Sequence, residues 1–240
     1  MNQEMISFQI EDAVELARTY CIQSCRFDLS KKEHIRLMQA AENILREGMK
    51  EIQIRALVSE ISELPKDTLK DDVIILDGIS FQCNAFSQLQ IGSIAGIYPY
   101  ILTIGEIKTK SKSASDQLFA DIWGTSFVDA ARDLLQKWIE KHLREKHNQN
   151  SAVVSSSFGP GFYGMNVTAV SDFFQLLDGR KIGVELTESG ILLPVKSCTG
   201  FYIAAHHEWA LPPGDCLSCL GNAGGCDFCK NNPKRNCAME

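Results

Sequence analysis

The stretch "FFQLLDGRKIGVELTESGILLPVKSCTGFYIA", Phe173 to Ala204, decides how this chain is read. Its first residues finish a helical pattern, "VTAVSDFFQLL" from Val167, which Asp178-Gly179 closes. From Lys181 the pattern changes to two strands around a turn, reaching Ala205. Strand runs alternate with helices before this point and the chain then finishes in a β-rich segment. The class is therefore α+β: a single domain with a mixed, mainly antiparallel sheet and flanking helices.

Working outward, residues 10–21 carry Ile10, Ala13, Val14, Leu16 and Ala17 at helical spacing. Ser30 before "KKEHIRLMQAAENILREG" reads as an N-cap with Glu33 at the capping-box position, and Gly48 stops that helix. "IQIRALVSEIS" alternates Ile52, Ile54, Ala56 and Val58 against polar neighbours, a strand pattern. "VIILDGISFQC" and "GIYPYILTIGEI" supply further strands, with a short helix between them around Ala85 to Ala95. From Ser115, more than thirty residues with Leu118, Ile122, Val128, Leu135, Trp138 and Ile139 and a basic tail predict one long helix. A strand near Ala152 to Ser155 follows, and the last folded element ends before Pro212-Pro213.

Between that strand and the Val167 helix lies "SSSFGPGFYGM", with three glycines and a proline within six residues. Such a loop bends sharply and lets another group approach its backbone closely. A tight turn without ligand and a ligand-binding loop both satisfy the pattern.

At 240 residues the chain can bury a substantial core, and its net charge of −6 comes with scattered Lys and Arg. It has no cationic face for a phosphate backbone, so nucleic acid is not an expected partner. The start, "MNQEMISFQIEDAVELA", lacks the basic and apolar regions of a signal peptide, so a cytoplasmic location is expected. The run from Gly78 to Gly105 holds no charge, but Gln82, Asn84, Gln88, Gln90 and Pro99 interrupt it. It reads as buried strands and a helix, not a membrane span.

Leu102 to Ala204 now match a known family in order and spacing. The matching residues are "LTIG" (Leu102 to Gly105), "DIWGTSFVDAA" (Asp121 to Ala131), "FGPGFYG", the stretch quoted first and "SCTGFYIA". Leu186 to Ser189, with Pro194 and Gly200, is the most specific part. The chain resembles the reactivation domain of cobalamin-dependent methionine synthase and its stand-alone relatives in anaerobic bacteria. The resemblance covers residues 1–205, thinly before Val73. It implies binding of S-adenosylmethionine (AdoMet) beside a corrinoid protein, whose inactive cob(II) form is reduced and remethylated. A domain of that kind acts by positioning more than by acid–base chemistry.

Carried over residue by residue, the family's nucleotide loop falls on Ser157, Phe158, Gly159, Pro160, Gly161 and Phe162, with Tyr163 beside it. Ser157 stands where the family has an arginine. A serine supplies no charge for the methionyl carboxylate. Thr125 stands where the family has a helix acid, and Glu188 is kept. Glu188 also reads as a hydrogen-bonded structural carboxylate. His206 and His207, beside Trp209, read as surface or packing residues, Cys21 and Cys25 as small core residues, and Cys83 and Cys198 as single buried thiols.

Nine cysteines are many for a reducing compartment, and five fall in the tail: Cys216, Cys219, Cys226, Cys229 and Cys237. Two CxxC pairs separated by six residues can set four thiolates around one centre, so residues 211–240 read as a small metal-binding module after a domain of residues 1–210. A [4Fe–4S] cluster and zinc both fit four thiolates; the low potential of the cluster suits cob(II) reduction. Cys237 is a spare or replaces one of the four. The expected function is that of an accessory protein for reductive activation of a corrinoid protein or corrinoid-dependent methyltransferase. The alternative is a non-enzymatic, zinc-containing adaptor that docks on such a system without AdoMet. A methyltransferase acting on a small acceptor fits less well, since no Gly-rich dinucleotide-type loop opens a βαβ unit.

Overall fold

The computed structural model describes residues 3–65, 67–147 and 152–206. The chain opens with strand β1 (Gln3–Phe8), helix α1 (Ile10–Cys25) and helix α2 (Lys32–Gly48), then strand β2 (Ile52–Ser59). A small meander follows, β3 (Leu69–Lys70), β4 (Val73–Leu76) and β5 (Ile79–Gln82). Next come the long strand β6 (Ile94–Gly105), the 34-residue helix α3 (Ala114–His147) and β7 (Val153–Val154). After the glycine loop, α4 (Val170–Leu176) leads to the hairpin β8 (Glu185–Leu186) and β9 (Leu192–Leu193), and β10 (Ser197–Ala205) closes the described fold.

The main sheet has the order β1-β2-β6-β10-β7, and every described strand pair is antiparallel. Its centre is uncharged because both faces of β6 are covered: all twelve residues except Gly105 are buried. On one face Tyr98, Tyr100, Leu102 and Ile104 of β6 join Tyr202 and Ala204 of β10 against α1, α2 and α3. On the other, Ile97 and Ile101 join Phe201 and Ile203 against Phe81, Phe86 and Phe173. Strand alternation thus divides one sheet between two cores. Trp123 of α3 is fully buried, and its Nε1 donates to the Ala41 carbonyl at 2.7 Å, tying α3 to α2.

Two local expectations need correction, and one strand had none. Ser30 does not cap α2: Lys31 occupies the N-cap position without a side-chain cap, while the Ser30 hydroxyl donates to Asp28 at 2.7 Å. The nearby carboxylate, three residues ahead of Lys31, outcompeted the helix for that hydroxyl. The helix expected around Ala85 to Ala95 is two short 3₁₀ turns, Asn84–Gln88 and Ile91–Ser93, and β6 already begins at Ile94. The first residues form an edge strand that the sequence reading did not identify. Only Ile6 in β1 is fully buried, so its hydrophobic alternation is faint.

Cys21 is buried in the first core with Cys25 packed against it, and Cys83 is buried in the second. Burial pushes the Cys21 and Cys83 thiols up to about 12. No described helix is long and apolar enough to cross a membrane. The tail cysteines, His207 and Trp209 lie outside the described residues, and His206 is exposed, its N–H donating to the Ser93 carbonyl at 2.8 Å.

Candidate functional site

The glycine loop is built onto the start of β10. Phe158 and Phe201 form an isolated antiparallel bridge, Phe158 N–H donating at 3.1 Å and Phe201 N–H at 2.7 Å. The two backbones then pass so closely that side chains are excluded. A Cβ on Gly159 would lie 2.5 Å from the Thr199 carbonyl oxygen and 2.8 Å from Gly200 Cα, and a Cβ on Gly200 would collide with the Phe158 carbonyl. Gly159 is therefore required by packing. Gly161 is required by conformation, with φ +89°, and its N–H donates to the Met165 carbonyl at 2.9 Å.

This crossing walls a cavity of about 190 Å³, lined by Tyr100, Arg132, Ser157, Phe158, Gly159, Pro160, Phe162, Val170, Leu192, Ser197, Cys198 and Thr199. Arg132 is the one charged residue among them. It reaches the loop from α3, where Gly124, Val128 and Arg132 follow each other at four-residue spacing on one face. Nη1 donates to Asp129 Oδ1 at 3.0 Å and Nη2 to the Ser157 carbonyl at 3.1 Å. Its guanidinium carbon stands 6.0 Å from the centre of the Phe162 ring. Nε is buried without a hydrogen-bond partner among the described residues.

Behind the guanidinium lies a polar cluster. The Ser157 hydroxyl is hydrogen-bonded to the Tyr100 hydroxyl, and the Tyr202 hydroxyl donates to the Arg132 carbonyl at 2.6 Å. Burial raises the phenols of Tyr100 and Tyr202 well above the ordinary tyrosine value and pushes the Cys198 thiol up to about 11, although Arg132 pulls the thiol down. At neutral pH all three are uncharged. Burial also raises the Asp129 carboxyl, against the pull of Arg132. The cluster therefore presents one fixed positive charge, hydrogen-bonded to Asp129.

Of the sequence-selected residues, Ser157, Gly159, Pro160 and Phe162 line the cavity together. Gly161 and Tyr163 lie in the same turn, with the Tyr163 ring 5.9 Å from Phe158 in the second core. Thr125 lies away from the cavity. Lys196 lies across Gly124, donating to Thr125 Oγ1 at 3.0 Å and pairing with Asp121 at 2.7 Å, and it helps line a second cleft of about 550 Å³. Glu188 is exposed at the tip of the β8–β9 hairpin, so the expectation of a buried, paired carboxylate is not met. Arg132 was not selected. Its signal was weak: a lone arginine among "DAARDLL" reads as a solvated helix face unless the four-residue row with Gly124 and Val128 is noticed.

Sheet, helices and loop together define an α+β domain with a curled antiparallel sheet, flanking helices and a cleft between the long helix and the last strand. No family model matches the chain, and no curated protein matches it in sequence. Among solved structures it is similar to "Crystal Structure of the MetH Reactivation Domain bound to AdoHcy", with a TM-score of 0.59 over 88% of this chain and 80% of that one, at 15% identity. At that identity the likeness is one of fold, and it agrees with the resemblance of the Leu102 to Ala204 motifs.

Proposed function

We propose that this chain is an accessory protein for reductive activation of a corrinoid protein or corrinoid-dependent methyltransferase, returning cob(II) to the methylated state with AdoMet as methyl donor. The observation that carries the proposal is the coincidence of fold and cleft. The chain shares the fold of a reactivation domain solved with S-adenosylhomocysteine (AdoHcy), and its glycine loop walls a cavity with aromatic faces and a single cation. These residues suit a ligand of AdoMet's kind. Phe162 and Phe158 offer apolar surface for a nucleoside, and Arg132 offers donors for a carboxylate.

In this reading the cob(II) corrinoid of the partner takes one electron to give cob(I). The cob(I) cobalt then attacks the sulfonium methyl, forming the cobalt–carbon bond as the carbon–sulfur bond breaks and leaving AdoHcy. The second step is effectively irreversible and pulls the uphill reduction forward. The chain contributes orientation: it holds the sulfonium against the partner's cobalt and excludes water. Residues 1–210 form the docking domain, and the cysteines of residues 211–240, outside the described residues, hold the metal. A [4Fe–4S] cluster there would supply low-potential electrons. Zinc there would support the adaptor reading, in which the protein docks without AdoMet.

Gel filtration with a cobalamin-loaded corrinoid domain tests the docking, and co-elution with the visible absorbance of cobalamin is expected. Separate elution under reducing conditions would sink both readings. Iron, sulfide and zinc measured on anaerobically purified protein then separate them, about four iron and four sulfide per chain for the electron-carrying reading and about one zinc for the adaptor.

A further inference from the structure

We infer that Arg132 is the carboxylate anchor of this cleft, a specificity determinant supplied by helix α3 and not by the glycine loop; the inference rests on the proposed AdoMet-type ligand and names how this chain holds it. Arg132 is charged at any accessible pH and has five N–H donors. Asp129 and the Ser157 carbonyl take one hydrogen each from Nη1 and Nη2. Each Nη has a second hydrogen beyond these bonds, while Nε is buried without a hydrogen-bond partner among the described residues. The side chain is 20% exposed and lines the cavity, so a carboxylate there can take the second hydrogens of Nη1 and Nη2 in charge-assisted bonds.

The surroundings select the kind of anion. No other charged residue lines the cavity, and its hydroxyls are already engaged: Ser157 with Tyr100, Thr199 with the Tyr100 carbonyl, Ser197 with the Pro194 carbonyl. The rest of the lining is aromatic, aliphatic or backbone. One carboxylate matches the single cation of this lining, whereas a polyphosphate would bring charge that nothing here balances. Position also matters. Arg132 donates to the main chain of Ser157, so the helix cation is fixed against the glycine loop that walls the cavity. Asp129, three residues earlier on the same helix, fixes the guanidinium plane.

The test is calorimetry of the full chain with two probes, AdoHcy and 5′-methylthioadenosine, which keeps the nucleoside and thioether but lacks the amino-acid carboxylate. Wild type is expected to prefer AdoHcy, and Arg132→Lys, which keeps the charge but loses the fork, to weaken AdoHcy about tenfold or more while leaving methylthioadenosine unchanged. Arg132→Met is expected to abolish the preference. Near-ultraviolet circular dichroism establishes that each variant is folded. Where a variant is not, the ¹⁵Nε resonance of Arg132 in wild type gives the answer: it is expected to shift with AdoHcy and not with methylthioadenosine. Equal AdoHcy affinity in wild type and Arg132→Lys, or an unmoved Nε resonance at saturation, overturns the anchor and leaves the proposed function standing. No binding of AdoHcy to wild type overturns the anchor and the AdoMet part of the proposed function together, while co-elution with a corrinoid domain would still report the docking.

Discussion

Substituting Gly159 by alanine tests the packing of the glycine loop on β10. The added Cβ would meet the Thr199 carbonyl oxygen at 2.5 Å and Gly200 Cα at 2.8 Å, both backbone atoms of a central strand. No flexible side chain can move aside, so the loop itself must lift. Overpacking of this kind costs about 1–3 kcal/mol. Lifting the loop also weakens the two backbone hydrogen bonds between Phe158 and Phe201, worth about 1 kcal/mol each. A total of about 3 kcal/mol corresponds to a fall in melting temperature of roughly 6–12 °C for a domain of this size. The assay is thermal unfolding followed by circular dichroism, with Gly92→Ala as control. Gly92 has nothing within 4 Å of its Cβ position, and its substitution is expected to change stability by less than about 0.5 kcal/mol. If Gly159→Ala melts with Gly92→Ala and wild type, the loop does not press on β10, and the glycine is free to be explained by a ligand instead.

The buried thiols make stability fall in alkali. The folded-state value of Cys83, about 12, lies above its ordinary value, so its stabilising effect is complete below about pH 9 and is lost as pH rises toward 12, at up to about 1.4 kcal/mol per pH unit. Urea unfolding of wild type and Cys83→Ala at pH 8 and at pH 10.5 is expected to show the gap between them shrinking; a constant gap refutes the assignment. Ser157→Ala removes one partner of the buried Tyr100 hydroxyl, leaving the Cys198 sulfur at 4.0 Å, and is expected to cost about 1 kcal/mol in urea unfolding while changing AdoHcy affinity less than threefold. A large loss of affinity with unchanged stability would make Ser157 a ligand contact and not a support for Tyr100.

Much of this fold could be read from the residues because the driving force was local. The row of apolar residues from Leu118 to Ile139 specified α3, and the uncharged run before Glu106 marked a strand buried on both faces. Where a competing partner lay outside the pattern, the reading failed. Asp28 took the Ser30 hydroxyl, and the edge position of β1 left only Ile6 to report its burial. The site was half legible. The loop was found from its glycines, but Gly159 is there because Thr199 and Gly200, forty residues later, pass against it. Arg132 escaped because nothing in one helix turn says that its far end meets the Ser157 carbonyl across the cleft. Long-range contacts of this kind are carried by topology, not by periodicity.

The decisive measurement is the visible spectrum of a cob(II)-loaded corrinoid domain incubated anaerobically with this protein, a low-potential reductant and AdoMet. Conversion to methylcob(III), with one AdoHcy formed per cobalt and none when either the protein or AdoMet is omitted, is the predicted result. A spectrum that stays cob(II) in the complete mixture, with the two proteins shown to be in complex, would contradict the proposed function.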